Sequence, residues 1–497
     1  MPTMIRPKTH HQFRFVLMVC FVLMVGRLLY NYADLYDLYA DEAQYWVWSK
    51  DVAWGYYSKP PVIAWLIYST ATWCGDSAFC IKFSSPILHF LTSLIVYAIG
   101  ARLFRDPKIA TWSAITYATL PAVTVSASII STDVPLLFFW AMATYFFIRG
   151  MQDFHINWWV LMGIAIGFGM LSKYNMIMFF PSLVLYFLMS KNNRVYLISL
   201  KLWLSAAIAG LIYIPNFLWN ARNRFVSYEH TKANANIHSL TLYPKELLEF
   251  LGSQLGVFGP IVFLVLLYIL IFKLPRLFKR DENRMLIAFI IPMLFTILTV
   301  SILSRAHANW AAPIYIPATV LVVSWLIQSN KTFILYLSLF LHITATLVFY
   351  NFDPTVKALG IQLNHKTDPF RRIRGWDKIG EEVKHYQSEY QDAQLLSNER
   401  KIVATLMYEL RDAKGHPAKV YKWNADHKTQ DHFDLTRDAI HAPGKNFLLV
   451  TRSDREDVAK IEQYFESSDM VGVAEVPLYP GYKLHYGIYY LQGFKGY

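Results

Sequence analysis

Residues 285–303 read MLIAFIIPMLFTILTVSIL, an apolar stretch without a charged side chain. A helix needs about 20 mostly apolar residues to cross the hydrocarbon core of a bilayer, so this stretch predicts a membrane span. Similar stretches recur through residues 1–350, at 13–30, 82–103, 109–129, 134–149, 158–172, 174–190, 196–215, 247–272, 310–328 and 332–350. We therefore expect an α-helical polytopic membrane domain with about eleven spans. The count rises towards thirteen if residues 62–74 enter the bilayer rather than lie along its surface.

The composition separates this membrane domain from a C-terminal domain. The 497 residues are 55% hydrophobic and 16% charged, whereas soluble domains carry about 25% charged residues. The charged residues are concentrated in 351–497, where helical stretches (376–391, 399–411 and 453–466) alternate with strand-like ones (420–423, 447–451 and 482–491). This alternation predicts a small soluble α/β domain at 351–497.

The distribution of basic residues predicts the orientation. With the N-terminus inside, the short cytoplasmic loops hold Arg102, Arg105, Lys108, Arg149, Lys191, Arg194, Lys201, Lys273, Arg276, Lys279, Arg280, Arg284 and Lys331, as the positive-inside rule requires. Eleven crossings then place the long first loop, 31–81, and the C-terminal domain on the outer side, which in a bacterial inner membrane is the periplasm. The net charge of +12 is explained by these loops and by lipid headgroups, so it does not indicate nucleic-acid binding.

The three cysteines exclude a disulfide-rich scaffold. Cys20 lies in an apolar segment, where it acts as a small hydrophobe. Cys74 and Cys80 share the first outer loop and can pair if that loop faces an oxidising compartment, which the sequence leaves open. In the C-terminal domain, His427 and His432 flank Asp431, but a polar stretch of this kind favours a solvated loop over a metal site.

The predicted outer loops contain most of the unusual polar residues. Each has an ordinary explanation: Asp41 and Glu42 suit a helix start, Asp133 suits a helix N-cap, and Lys173 and Arg305 can extend to lipid headgroups. Together, however, they bring carboxylates and cations to one face of the membrane. A carboxylate can deprotonate an acceptor hydroxyl, and cations can stabilise a phosphate leaving group. The set therefore indicates a reaction with an anionic lipid substrate.

Five motifs in these loops occur in a definite order: DEAQYWVWS (41–49), GYYSKPPVIAWL (55–66), TDVPLLFFW (132–140), LSKY (171–174) and NWAAP (309–313). In these motifs the chain resembles bacterial GT-C glycosyltransferases of the protein O-mannosyltransferase and lipid A aminoarabinose transferase superfamily. The resemblance runs through about residues 30–325 and more loosely through the C-terminal domain. It implies an inverting transfer of a sugar from a polyprenyl-phosphate donor to a lipid A, lipopolysaccharide-core or other envelope acceptor, at the periplasmic face.

The resemblance also implies roles for individual residues. Asp41 is expected to be the catalytic base, and Asp133 to support that geometry or to hold the acceptor or sugar. The expected donor-phosphate ligands are Lys59, Lys173 and Arg305. The expected sugar or acceptor contacts are Glu42, Tyr57, His307 and Asn309.

Position 58 departs from the aminoarabinose-transferase pattern. In that branch an acidic residue resembling a metal ligand precedes the lysine, whereas this chain has Ser58. We therefore expect no required cofactor and no metal ligand, with a divalent metal as the alternative. The departure at position 58 also argues against inferring that this chain has the same aminoarabinose specificity as that branch. The alternative functions are protein O-glycosylation by the same fold and a lipid-linked sugar flippase. A flippase is expected to show charges deep within its spans and internal repeats, and the sequence shows no clear repeat.

Overall fold

The computed structural model describes residues 7–33, 35–236 and 241–497. The predicted cytoplasmic N-terminus (1–6), Asp34 in the first outer loop and 237–240 in the predicted outer loop 216–246 lie outside the described residues. Contacts divide the chain into two compact units. The first, the membrane unit, comprises Met1–Tyr32, Lys59–Ile63 and Lys82–Phe352, and the second, the loop–tail unit, comprises Ala33–Ser58, Ala64–Ile81 and Asp353–Tyr497.

The membrane unit is built from helices. Its main α-helices are Pro7–Tyr32, Ser84–Phe104, Pro107–Thr119, Pro121–Ser126, Asp133–Asp153, Ile156–Met170, Phe179–Met189, Leu200–Arg222, Val226–Ala235, Pro244–Val257, Pro260–Tyr268, Leu274–Leu277, Asp281–Leu303, Tyr315–Gln328 and Thr332–Tyr350. Short 3₁₀ turns at Tyr174–Met178, Lys191–Ile198 and Ala308–Ile314 and a π-helical turn at Ile269–Lys273 connect them.

Eight of these helical segments are long and apolar enough to cross a bilayer: His11–Tyr32, Ala78–Phe104, Asp133–Asp153, Leu200–Arg222, Pro260–Leu277, Asp281–Leu303, Ala308–Gln328 and Thr332–Tyr350. They correspond to eight of the eleven predicted spans and confirm a multi-span helical membrane protein. The predicted spans 158–172 and 174–190 correspond to shorter apolar helices, as does the segment Val62–Cys74. The count of eleven crossings stays a prediction.

Two predicted spans are wrong as continuous helices. The stretch 109–129 is interrupted at Leu120, which is extended (ψ 138°) before Pro121, as expected for a residue that precedes proline. The stretch 247–272 is divided at Gly259, whose φ of +85° is followed by Pro260. A side chain at Gly259 would collide with the imidazole of His342. Apolar composition alone did not reveal either break.

Close packing of small residues joins two of the helices. A methyl group at Gly163, in Ile156–Met170, would lie 2.6 Å from the backbone oxygen of Ser205 in Leu200–Arg222. Apolar helices in a membrane gain little from the hydrophobic effect, so they associate by van der Waals packing, and small residues allow close approach. The Ser205 hydroxyl donates to the Trp159 carbonyl at 2.6 Å across the same pair of helices.

The loop–tail unit contains a five-stranded mixed sheet in the order β2–β1–β3–β5–β4. The strands are β1 (Ala393–Ser397), β2 (Val420–Lys422), β3 (Asn446–Thr451), β4 (Ser467–Tyr479) and β5 (Tyr482–Gln492). β1 pairs in parallel with β2 and β3, and β5 pairs antiparallel with β3 and β4. The helices of the C-terminal segment are Phe352–Ala358, Trp376–Glu389, Arg400–Glu409, His432–Thr436 and Arg455–Glu462, and those of the first loop are Ala40–Ser49, Val62–Cys74 and Ala78–Lys82.

This architecture confirms the predicted α/β class. The predicted helices and strands are present within one to four residues of their expected ends, but β1 and β4 were not predicted. β4 is exposed along much of its length, so its sequence has no clear apolar alternation. Cys74 and Cys80, which the sequence left open, form a disulfide.

Candidate active site

Asp133 is held by two neighbours within the membrane unit. It begins the helix Asp133–Asp153, and its Oδ1 lies 2.7 Å from the Lys173 Nζ. The amide of Asn309 donates to its Oδ2, also at 2.7 Å. The Asp133 and Lys173 side chains are only 10% and 12% exposed. Three of the five motifs therefore meet at one buried carboxylate, which is an ion-pair partner and not a simple N-cap.

Three cations influence the electrostatics of His307 in the same unit. Burial lowers the pKa of His307, and the positive charges of Arg305, Lys173 and Lys59 lower it further. The three residues predicted to bind the donor phosphate therefore act electrostatically on one imidazole. These effects favour the neutral imidazole, which can accept a hydrogen bond. Of these three cations, Lys173 is paired with Asp133.

Hydrogen bonds from neighbouring helices and turns hold the segment that carries His307 and Asn309 in place. Gln254 donates through its side-chain amide to the Ala308 carbonyl at 3.1 Å and accepts from the Tyr315 hydroxyl at 2.9 Å. Asn175, two residues beyond Lys173, donates to the Trp310 carbonyl at 3.4 Å. Such buried hydrogen bonds fix the position of Asn309 before a ligand binds.

An apolar cavity of about 290 Å³ opens beside this carboxylate. Asp133, Asn309 and Ser131 contribute polar groups to its wall, and the other lining residues include Val123, Val125, Leu137, Val257 and Ala312. A cavity that is apolar with a few convergent polar groups is the usual form of a small-molecule site. This one can accommodate a hydrocarbon chain whose polar end is at Asp133.

Asp41 belongs to the loop–tail unit, where it forms an ion pair with Arg400. The Arg400 Nη1 lies 2.8 Å from the Asp41 Oδ1 and donates to the Gln44 Oε1 at 2.5 Å. Burial lowers the pKa of Arg400, but the Asp41 carboxylate outweighs this effect, so the pKa is raised overall. The Asp41 side chain is 40% exposed, and its carboxylate is therefore oriented yet accessible to a substrate.

Glu42 and Tyr57, also in the loop–tail unit, have structural contacts of their own. Glu42 is 2% exposed and its Oε2 accepts the backbone N–H of Tyr39 at 2.9 Å, which caps the helix Ala40–Ser49. The Tyr57 hydroxyl donates to the Thr429 carbonyl at 3.4 Å. Burial raises the pKa of Tyr57, with smaller contributions from Asp431 and Asp434. The expected contacts of Glu42 and Tyr57 with sugar stay predictions.

The expected solvated loop around Asp431 is only partly correct: residues 427–430 are exposed, whereas Asp431 is buried at 7% exposure. Asp431 caps the helix His432–Thr436 by accepting from the Phe433 and Asp434 backbone N–H groups. The ring of His432 packs edge-on against Trp48 and Tyr56. In the described part of the chain, no three His, Cys, Asp or Glu side chains are grouped closely enough to hold a metal ion.

Sequence reasoning missed Arg400, Gln44 and Gln254 as parts of these arrangements. Arg400 is 356 positions from Gln44, and no local spacing relates residues so far apart. Gln254 lies in a stretch interpreted as a membrane span. A polar side chain within such a stretch is the one signal that marked it.

Comparisons with known proteins identify the family. Residues 58–219 match the family described as dolichyl-phosphate-mannose-protein mannosyltransferase. The chain is 31% identical over 381 residues to the lipid A galacturonosyltransferase RgtD of Rhizobium johnstonii, which covers 76% of this chain and 79% of that protein. It is 30% identical over 201 residues to the lipopolysaccharide core galacturonosyltransferase RgtB of the same organism, covering 40% of each.

The fold is that of a solved glycosyltransferase. The crystal structure of ArnT from Cupriavidus metallidurans bound to undecaprenyl phosphate superposes with a TM-score of 0.64 at 14% identity, over 96% of this chain and 97% of that one. The resemblance predicted from the five motifs is thereby confirmed. The chain belongs to the GT-C glycosyltransferases, in the superfamily of the protein O-mannosyltransferases and the lipid A galacturonosyl- and aminoarabinosyltransferases.

Proposed function

We propose that this enzyme transfers a sugar, galacturonic acid or a related hexose, from a polyprenyl-phosphate donor to the saccharide of lipid A at the periplasmic face of the inner membrane. The observation that carries the proposal is the buried Asp133 carboxylate held by Lys173 and Asn309. Lys59, Lys173 and Arg305 also act electrostatically on His307 in the same unit. The 31% identity to a lipid A galacturonosyltransferase over most of both chains supports the acceptor and sugar class.

The cations act on the leaving group. As the bond between the anomeric carbon and the phosphate oxygen breaks, its electron pair moves to that oxygen, and negative charge on the phosphate grows. Lys59 and Arg305 stabilise this charge, since fixed cations are most effective where charge develops in the transition state. Lys173, which is paired with Asp133, links the phosphate to that carboxylate. The products are polyprenyl phosphate and the glycosylated acceptor.

Asp41 acts on the acceptor. Its carboxylate takes the proton of the acceptor hydroxyl while the hydroxyl oxygen attacks the anomeric carbon from the side opposite the phosphate, with inversion. Arg400 supports this role because it holds the carboxylate in one orientation while leaving it accessible. A general base must be positioned within hydrogen-bond reach of the proton it removes.

Asp133 has a different role, because both of its oxygens are occupied. With Lys173 on Oδ1 and Asn309 on Oδ2, this carboxylate is an orienting group for the sugar or for the lysine. The adjoining apolar cavity accommodates the first isoprene units of the donor. We further propose that the transfer needs no metal, and transfer in excess EDTA tests this.

The disulfide supports the proposed orientation. Cys74 and Cys80 are joined, and disulfides persist in the oxidising periplasm rather than in the cytosol. The basic loops predicted on the other side agree with this placement. Single cysteines introduced at position 280 and in the C-terminal segment should react with a membrane-impermeant maleimide only from the cytoplasmic and the periplasmic side, respectively. Labelling of both from one side contradicts the orientation.

The decisive experiment is transfer by the purified protein in proteoliposomes that contain lipid A and a radiolabelled polyprenyl-phosphate hexuronic acid. Mass spectrometry of the lipid A should show the mass of one added sugar. Asp41→Asn should abolish transfer, and Lys59→Ala should raise KM for the donor. The matched controls are Asp51→Asn, an exposed carboxylate in the same loop, and Lys279→Ala, an exposed lysine. If Asp41→Asn transfers sugar at the same rate as the control variants, Asp41 is not the catalytic base.

Protein O-glycosylation is the second candidate, favoured by the match of residues 58–219 to protein mannosyltransferases. The same proteoliposomes, supplied with an envelope protein fraction, distinguish the two. Sugar label in lipid A supports the proposal, and label in protein supports the alternative.

A further inference from the structure

A cleft of about 630 Å³ lies within the loop–tail unit. The elements that line it differ from those that hold Asp133. Its walls come from the segment 365–376, the β4–β5 turn, the start of the helix Arg400–Glu409 and the start of the helix Ala40–Ser49. Pockets that bind small ligands measure roughly 300–1,000 Å³. The cleft is therefore large enough for a saccharide, and a single phosphate would occupy only a small part of it.

The cleft is lined by cations. Six lysine or arginine side chains face it: Lys366, Arg371, Arg372, Arg374, Lys401 and Arg452. Arg374 is neutralised by Asp353 at 2.6 Å and Asp368 at 2.7 Å. Among the residues that the structure describes, no Asp or Glu lines the cleft, and the other five cations have no carboxylate partner within 4.0 Å.

Aromatic rings form the rest of the wall. Trp376 is 8% exposed. Its backbone N–H donates a hydrogen bond to the Asp37 carboxylate at 2.7 Å, and its indole N–H donates one to the Arg372 carbonyl at 3.2 Å. The His365 and Tyr482 rings stack at 4.9 Å. Flat rings pack against the apolar faces of sugars while their polar edges remain available for hydrogen bonds.

The cations are positioned before any ligand binds. Arg372 donates to the Tyr39 hydroxyl at 3.2 Å, and the Arg452 guanidinium lies 5.7 Å from the centre of the Tyr486 ring. Like charges gathered around one cleft repel each other and destabilise the folded unit. Guanidinium groups match phosphate and carboxylate oxygens in two-pronged geometry, and an anion would relieve the repulsion.

The position of the cleft relates it to the proposed base. Tyr39 and Ala40 line it, and Asp41 is the next residue. Lys401 also lines it and directly follows Arg400, the partner of Asp41. The cleft and the Asp41–Arg400 pair therefore share the starts of the same two helices, although Asp41 and Arg400 do not themselves line the cleft.

We propose that this cleft binds the phosphorylated saccharide head group of the acceptor, with the phosphates on the exposed cations and the sugar rings on the aromatic wall. The inference rests on the proposed function for its choice of acceptor. It differs from the donor site, which we place on Lys59 and Arg305 in the membrane unit.

Binding tests the cleft directly. The probe is water-soluble, deacylated lipid A with its two phosphates, titrated calorimetrically against the full protein in non-ionic detergent. The variant Arg371→Gln/Arg452→Gln should bind it about tenfold more weakly, since each exposed charge pair contributes modestly. Binding should also weaken as salt rises. The matched control, Lys384→Gln/Lys414→Gln, removes two exposed charges of the same unit outside the cleft and should bind like the wild type. Equal binding by both double variants overturns the proposal.

Two further ligands identify the source of the anion. The dephosphorylated disaccharide should bind much more weakly than the bisphosphorylated one. Vesicles of phosphatidylglycerol should not compete with the probe. If they compete fully, and if the competition disappears in the cleft variant, the cleft binds membrane headgroups and the acceptor assignment is wrong.

Kinetics separate this inference from the proposed function. In the transfer assay, the cleft variant should raise KM for lipid A about tenfold while leaving KM for the donor unchanged. If wild-type protein transfers sugar to lipid A and the variant has an unchanged acceptor KM, the cleft proposal fails alone. If wild-type protein binds the probe through the cleft but transfers no sugar to lipid A, the proposed function fails alone.

Discussion

The Asp133–Lys173 pair gives the sharpest prediction of stability. In Asp133→Asn, the carboxylate that balances Lys173 is lost, and the ammonium group stays in a position where it is 12% exposed and close to other cations. Removing one partner of a buried ion pair destabilises a protein by about 3–5 kcal/mol. The remaining exposure places the expected loss near the lower end, about 3 kcal/mol.

The chain contains a matched control at the same distance. Asp457 and Lys460 also lie 2.7 Å apart, but their side chains are 56% and 63% exposed. Exposed pairs contribute about 0.2–1 kcal/mol, so Asp457→Asn should have little effect. The two pairs have the same charged groups at the same distance and differ mainly in burial and in the Asn309 hydrogen bond to Asp133.

A second change tests the reasoning further. In Asp133→Asn/Lys173→Met, both charges are absent, and replacing both partners of a buried pair by neutral groups is often nearly neutral. The double variant should recover most of the stability lost in Asp133→Asn. We would measure the free energy of unfolding in mixed micelles by SDS titration with tryptophan fluorescence. The reasoning is refuted if Asp133→Asn is no worse than Asp457→Asn, or if the second change recovers nothing.

The double variant also separates folding from chemistry. We expect it to be folded and unable to transfer sugar, because it lacks the proposed orienting carboxylate, Asp133, and a proposed phosphate ligand, Lys173. Transfer at the wild-type rate by this variant would show that the pair serves the fold alone.

Three other predictions concern the loop–tail unit. Arg400→Gln should lower kcat about tenfold or more and Arg400→Lys less, because the proposed base Asp41 loses its orienting partner; equal rates contradict this role. Burial lowers the pKa of His432 to about 3, so the unfolded chain, in which the pKa is about 6.5, binds a proton more readily than the folded one. The free energy of unfolding should therefore fall as the pH drops from 6.5 towards 3, by about 2 kcal/mol at pH 5. His432→Phe should lose this dependence, and an unchanged pH profile contradicts it. Replacing Cys74 and Cys80 by serine should destabilise the unit by about 2 kcal/mol, measured by denaturant unfolding; no change contradicts it.

The sequence determined the class of this protein because its main signals are local. Long apolar stretches predict helices in a bilayer, since an unpaired backbone is too costly there. Alternating short segments predict the α/β tail, and five ordered motifs indicate the family. Asp133, Lys173 and Asn309 could be named from their motifs, since a charge at a loop next to a span is conspicuous in an apolar context.

Only the tertiary structure decided which of these residues meet. Lys173 and Asn309 lie 40 and 176 positions from Asp133, and Arg400 is 359 positions from Asp41. Contacts over such separations depend on how helices and strands pack, which no local spacing encodes. The cationic cleft is the clearest case, because nothing in the sequence around any of its lysines or arginines distinguishes it from other basic residues of the C-terminal segment. The fold brings them around one space with no carboxylate among its described lining residues, which is the basis of the proposed binding site.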